Sequence, residues 1–226
     1  MADKPHYHGH RQRLKERFLK GGSNALQDYE LLELLLFQAI PRRDVKPLAK
    51  ELLETFGSFG DVIDAPAERL KQFNGIGDSA LIALKMIKAG ASKMAQEQII
   101  NKPVLSRWQT LLDYCRITQG YAKHEVFRVL FLDRKNVLIA DEVQQEGTVD
   151  HTPVYPREVI KRALELTASA IILVHNHPSG DPTPSRGDID MTKEIIDAGK
   201  KLSITVHDHI IIGKKGHTSF KSMGLI

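Results

Sequence analysis

The chain has a single cysteine, Cys115, among its 226 residues. That excludes an internal disulfide framework and any zinc site built from several thiolates, and it suits a reducing, cytosolic setting. A metal held by this chain therefore has to be held by His, Asp or Glu. No apolar run approaches the roughly 20 residues that a membrane helix needs, so no membrane partner is expected. The opening residues, MADKPHYHGHRQRLKERF, contain no apolar h-region, so no secretory signal is expected and the protein reads as cytoplasmic. A dominant charge is also missing. Residues 1–102 carry 16 basic and 13 acidic side chains, and 103–226 carry 16 and 15. A net charge of +4 permits nucleic-acid contact without arguing for it.

What is present is a chain with 42% apolar residues, enough for a real core, in two parts of different periodicity. The first hundred residues read as helices. NALQDYELLELLLFQAI is apolar at helical spacing with Asp28 placed to cap it. VKPLAKELLETFG ends at Gly57, APAERLKQF starts near Pro66, and DSALIALKMIKAGASKMAQEQ follows the turn NGIG. The spacing predicts an all-α domain over 1–102, ending in a long helix and linker. Helix SRWQTLLDYCRITQG opens a second domain over 103–226, where strands alternate with helices. EVFRVLFLD and VLIADEVQQEG flank the turn RKN as a hairpin. YPREVIKRALELTA is an amphipathic helix. SAIILV is short and continuously apolar, as for a strand covered on both faces. SRGDIDMTKEIIDAGKKL is a helix and SITVHDHIIIG a β-branched strand, with HTSFKSM a candidate for one more. A strand, crossover helix and strand imply a mixed sheet covered by helices, so the fold class is α/β with an all-α N-terminal domain.

The chemistry sits in IILVHNHPSGDPTPSRGDID. Side chains alternate along a strand, so His175 and His177 point one way and Asn176 the other. A loop stiffened by three prolines then delivers Ser185, with Asp188 one helical turn later. Lone histidines at a strand end are commonly structural, and Ser-X-X-Asp at a helix start is also a capping box, which competes for the Asp188 carboxylate. Taken together, two histidines and one carboxylate make a three-ligand set that leaves one position of a tetrahedral zinc open, the form of a hydrolytic site.

The spacing of His175, His177, Ser185 and Asp188 resembles the JAMM signature of MPN-domain metalloproteases. VHNHPSGDPTPSRGD, with EGTVDHTPVYPREVIKRALEL upstream and DHIIIG downstream, resembles the bacterial RadC family over essentially the whole chain. The resemblance implies an MPN fold, one Zn²⁺ per chain on His175, His177 and Asp188, and hydrolysis of a peptide or isopeptide amide by metal-activated water in a protein or peptide substrate. It also implies an upstream glutamate as general base. Glu125, which opens a strand in HEVFRVLFLD, fits best. Glu146 is the runner-up, Glu142 reads as a solvated strand position, and Glu158 is an acid expected in a helix's first turn. Ser185 would donate to the oxyanion.

Other features carry less. His6, His8 and His10 lie in a polar N-terminal segment expected to lack order. His207 and His209 share a strand face, and Asp208 and His209 read as structural groups or as partners standing behind a ligand. FNGIGDSALIALK, with Gly75, Ile76 and Gly77, resembles a helix-hairpin-helix, whose glycines let backbone N–H groups approach a DNA phosphate. FQAIPRRDVKPLAK, with Arg42 and Arg43 in its turn, has a similar layout and reads as a degenerate second copy. Non-specific DNA is thus a candidate partner, and a DNA-associated factor whose zinc domain mainly binds is the alternative to a peptidase. A phosphodiester nuclease would need more carboxylates for Mg²⁺.

Overall fold

The computed structural model describes residues 9–147, 154–214 and 216–226, with Glu146 as backbone only. The chain divides into two compact units, one up to Gly90 and one from Ala91 to Ile226. The division lies ahead of residue 102 because Ile99 and Val104 are buried among the residues of the second unit's sheet.

In the first unit, α1 spans His10–Gly21, α2 Asp28–Ala39, α3 Lys46–Phe56, α4 Phe59–Asp64 and α5 Ala67–Leu70, and α6 starts at Asp78 and runs on to Glu97. Helix α2 exists because Leu32, Leu36 and Phe37 recur on one face and bury it. Its cap is Gln27 rather than Asp28: the Gln27 side chain accepts an N–H of the first turn, and Glu30 accepts the Gln27 N–H at 3.1 Å. The longer amide reaches the first turn and leaves Asp28 inside the helix. Helix α3 buries Leu48, Ala49, Leu52 and Phe56 and stops at Gly57, whose φ of +101° a residue with a Cβ adopts poorly.

Helix α1 is polar almost all round and buries only Leu14. Two ion contacts tie it to α2 instead. Arg17 Nη1 donates to Glu30 at 2.7 Å, and His10 Nε2 lies 2.8 Å from Glu33, whose carboxyl is pushed up by burial. His10 is therefore the first residue of a helix, contrary to the disorder expected of it. His6 and His8 lie outside the described residues.

The second unit begins with the last turns of α6, followed by α7 (Trp108–Gln119), and is built on five strands: β1 Glu125–Leu132, β2 Leu138–Gly147, β3 Ala170–Asn176, β4 Thr205–Gly213 and β5 Gly216–Ser219. Helix α8 (Pro156–Glu165) precedes β3, and α9 (Arg186–Lys200) connects β3 to β4. The strand order is β2-β1-β3-β4-β5, with β3 and β4 parallel and the other pairs antiparallel. A parallel pair needs a crossover, and α9 is that crossover. Every residue of β3 is buried, as its unbroken apolar run requires.

Alternation along the strands assigns the two faces. Leu130, Leu132, Ile172, Val174, Ile210 and Ile212 pack with Leu111, Leu112 and Cys115 of α7. Phe127, Val129, Ile171 and Leu173 pack with Val159 and Ile160 of α8 and Ile195 of α9. Cys115 is fully buried and its thiol is pushed up to about 12 by desolvation, so it behaves as a small hydrophobe and not as a nucleophile. Among the described residues no helix is long and apolar enough to cross a membrane.

The α7 face also carries an ion pair. Arg128 on β1 bonds to Asp141 on β2, Tyr114 on α7 donates to the other oxygen of the same carboxylate, and Arg128 Nε donates to Gln119 at 3.1 Å. The Asp141 side chain is 2% exposed and that of Arg128 is 13% exposed. Asp141→Ala would leave a guanidinium buried without its anion. Its expected cost is about 3–5 kcal/mol, read as a lower urea midpoint at unchanged slope. An unmoved midpoint would show that the pair contributes no net stability.

Candidate metal centre

The site lies where β3 ends beside its parallel neighbour β4 and where α9 begins. His175 is the penultimate residue of β3, on the α8/α9 face, and is fully buried. Its ring stacks on Phe127 at 6.2 Å between centroids. His177 lies just past the strand but stays in the ladder, its N–H donating to Ile212 O at 3.0 Å. Both histidines therefore leave the sheet on the same side, as alternation requires. Asn176 between them points the other way. Its Oδ1 accepts from Val126 N–H at 2.9 Å, and its Nδ2 donates to His124 O at 3.0 Å.

The loop after His177 is shaped by its own short-range bonds. Gly180 takes a φ of +87° and donates its N–H to His177 O at 2.9 Å. The Asp181 side chain accepts from Thr183 N–H at 3.0 Å. Ser185 then caps α9: its Oγ accepts from Asp188 N–H at 3.1 Å, and Asp188 Oδ2 accepts from Ser185 N–H at 2.7 Å. This is the expected capping box, and it does not remove the carboxylate from the histidines. Asp188 Oδ1 lies 3.3 Å from His175 Nε2, and Oδ2 lies 3.4 Å from His177 Nε2. The two Nε2 atoms are 3.0 Å apart. Burial alone would raise the Asp188 carboxyl, but the two imidazoles beside it hold it well below the usual carboxylate range. The Asp188 carboxylate in turn draws the His177 imidazole upward.

Of the four candidate glutamates, Glu125 stands at this cluster, its Oε1 3.8 Å from His175 Nε2 with 41% of its side chain exposed. It arrives through pairing of β1 with β3, in which Phe127 faces His175. Asn176, which sequence reasoning did not single out, pins the backbone on both sides of Glu125. The only signal for it is its place between two histidines, which forces it to the opposite face. Glu142 is engaged by Arg162 at 2.6 Å and Glu158 by Arg157 at 3.2 Å. The Glu146 side chain lies outside the described residues, as do residues 148–153 of the upstream block.

His209 on β4 stands behind the cluster, its Nε2 2.7 Å from His175 Nδ1, and burial holds its pKa well below the ordinary imidazole value. His207, on the same strand, is directed elsewhere, with its Nε2 2.6 Å from Asn136 Oδ1. Asp208 is structural: its carboxylate accepts from His209 N–H at 2.8 Å, Lys221 N–H at 2.9 Å and Ser219 Oγ at 2.5 Å.

In the first unit, the two glycine- and arginine-bearing turns meet. Arg43 Nη1 donates to Asn74 at 3.2 Å and lies over Gly75, whose φ is +108°. Ile76 is buried in the helical core, Gly77 precedes α6, and Arg42 is exposed.

The proline loop is packed tightly on the end of β4. A Cβ at Gly213 would stand 2.5 Å from Gly180 O and 3.0 Å from Pro182 Cδ. The first of these is backbone, so the loop itself has to move. Gly213→Ala is expected to lower stability by about 1–3 kcal/mol through overpacking, measured as a fall in melting temperature. An unchanged melting temperature would mean that the loop yields freely.

Two family matches and one relative bear on this arrangement. Residues 105–225 match the family described as the RadC-like JAB domain, and residues 8–82 match UPF0758 N-terminal. The UPF0758 protein of Ruegeria pomeroyi is 59% identical over 217 residues, which cover 96% of this chain and 97% of that protein. The five-stranded mixed sheet, with two histidines at the end of β3 and an aspartate in the first turn of α9, is thus the JAB domain of that family, and the chain belongs to the RadC-like UPF0758 family.

Proposed function

We propose that this protein is a zinc-dependent hydrolase acting on a peptide or isopeptide amide. One observation carries the reading: the spacing of three ligand atoms. Atoms bound to zinc at about 2.0–2.1 Å in a tetrahedron lie about 3.3 Å apart. One ligand atom from each of His175, His177 and Asp188 can be chosen so that all three lie within 4.8 Å of one another, with the two Nε2 atoms 3.0 Å apart and an Asp188 oxygen 3.3 Å from the first and the other 3.4 Å from the second. The donor set also fits, since two imidazoles and one carboxylate suit zinc and leave a position open. When bound there, zinc would supply Lewis acidity, acidifying a water and polarising the scissile carbonyl.

The chain's own residues would do the rest. Glu125 is close to the cluster and partly exposed, so its carboxylate can take a proton from the attacking water and return it to the leaving amine. Glu125 makes its closest approach to His175, leaving the ligand positions to the other three side chains. Ser185 Oγ accepts from Asp188 N–H, which leaves the hydroxyl hydrogen to donate towards the oxyanion. Donors of that kind contribute about 2.7–4 kcal/mol where one has been removed. Phe127 and the buried end of β3 wall the site against water on the sheet side.

A second reading concerns the first unit. The approach of Arg43 to the Gly75–Gly77 turn, with Arg42 exposed next to it in sequence, supports contact with a DNA backbone, independent of sequence.

The zinc reading predicts about one zinc per chain in protein whose His6 and His8 are replaced by alanine, and loss of that zinc in His175→Ala, His177→Ala and in Asp188→Asn. Glu125→Gln should keep zinc and melting temperature but lower turnover about 10²–10⁴-fold, measured on a substrate found by sequencing new N-termini in a digested proteome. Equal zinc in all forms, or zinc loss in Glu125→Gln, would refute these roles. For the second reading, duplex DNA should bind the full chain with a steep salt dependence that weakens in Arg42→Ala, Arg43→Ala. Binding indifferent to salt would remove it.

A further inference from the structure

His175 can offer Nε2 to a cation only if its one proton is on Nδ1. The groups behind it decide where that proton goes. Thr192 on α9 lies under the site, and its Oγ1 is 2.5 Å from Asp188 O and 2.6 Å from His209 Nδ1. A carbonyl oxygen only accepts, so the single hydroxyl hydrogen of Thr192 goes to Asp188 O. His209 Nδ1 must then donate to Thr192. His209 is fully buried, so the ring is neutral and carries one N–H, which leaves Nε2 as an acceptor. His209 Nε2 is 2.7 Å from His175 Nδ1, so His175 supplies the proton of that bond, and in its neutral form it carries no hydrogen on Nε2.

We propose that His209, set in turn by Thr192, is a positioning residue that holds His175 in the Nδ1–H form and so aims an unprotonated Nε2 at the metal site. The inference rests on the reading of His175, His177 and Asp188 as that site. His177 reaches the same state by a separate route, its Nδ1 lying 2.8 Å from Asp181 O. The polar chain is isolated from competing donors. His209 is covered by Phe220 at 4.6 Å and by Phe127, edge-on, at 5.8 Å, and among the described residues only His175 and Thr192 bond to its ring through a side chain. Outer hydrogen bonds of this kind fix the orientation and basicity of a ligand and are worth 10–100-fold in metal affinity.

Long-range ¹H–¹⁵N NMR of the metal-free full chain at mildly alkaline pH reports which ring nitrogen of His175 bears hydrogen. The expected result is Nδ1–H for His175 and for His209 in the natural sequence. His209→Leu keeps bulk but removes the acceptor. It should release His175 from the Nδ1–H form and weaken zinc, titrated against a chelator, by about 10–100-fold. His209→Gln, whose side-chain carbonyl can accept at the Nε2 position, should restore both to within a few-fold. The restoration separates positioning from mere filling of the core. Nε2–H on His175 of the natural chain would overturn the proposal even if neither variant folds. Unchanged zinc affinity in a folded His209→Leu would overturn it as well. A natural chain with His175 in the Nδ1–H form and no measurable zinc affinity would refute the metal site, not the hydrogen-bond assignment.

Discussion

The Asp188 carboxylate is the point on which the second unit's histidine cluster depends. It is a helix cap, accepting the Ser185 N–H, and it is also the anion against two imidazoles. The first turn of a helix is a favourable place for a negative charge because its free N–H groups point outward. The same positive end would repel protonated histidines if no carboxylate stood between. One side chain therefore stabilises α9 and keeps the histidine pair compatible with the helix. The price of such economy is that stability and site cannot be altered separately at this residue.

The sheet supplies what Asp188 needs to work against. β3 is covered on both faces, so its alternation sends His175 towards α9 and Asn176 towards the opposite side. Asn176 fastens the start of β1, and β1 carries Glu125 to the histidines. Glu125 and His175 are thus held by adjacent strands, not by loops, which is the arrangement that keeps separations narrow.

Much of this was legible in the sequence because it is local. The strand-loop-helix run from His175 to Asp188 places its own side chains by alternation and by capping, both of which act over a few residues. The hairpin of β1 and β2 and the α9 crossover were readable for the same reason. Less legible was whatever depends on distant pairing. Glu125 led the candidate glutamates, but its place 3.8 Å from His175 comes only from the pairing of β1 with β3. Helix α1 has one buried leucine and offers no periodicity to read; ion contacts to α2 place it, and they join residues far apart in sequence. The break between units was hidden inside α6, since a helix shows no change of composition where its neighbours change.

The opposed directions of His175 and Asn176 have a consequence for how the fold is selected. If β3 paired with its neighbours one residue out of step, every side chain would exchange faces. Both imidazoles would turn towards α7, into the company of Leu111 and Cys115, and the amide of Asn176 would lose its backbone partners Val126 and His124. An apolar run such as Ile171–Val174 does little to forbid that slip, because both faces are equally greasy. The polar triplet at its end does forbid it. The residues that make the strand chemically useful are the same ones that tell it where to stop.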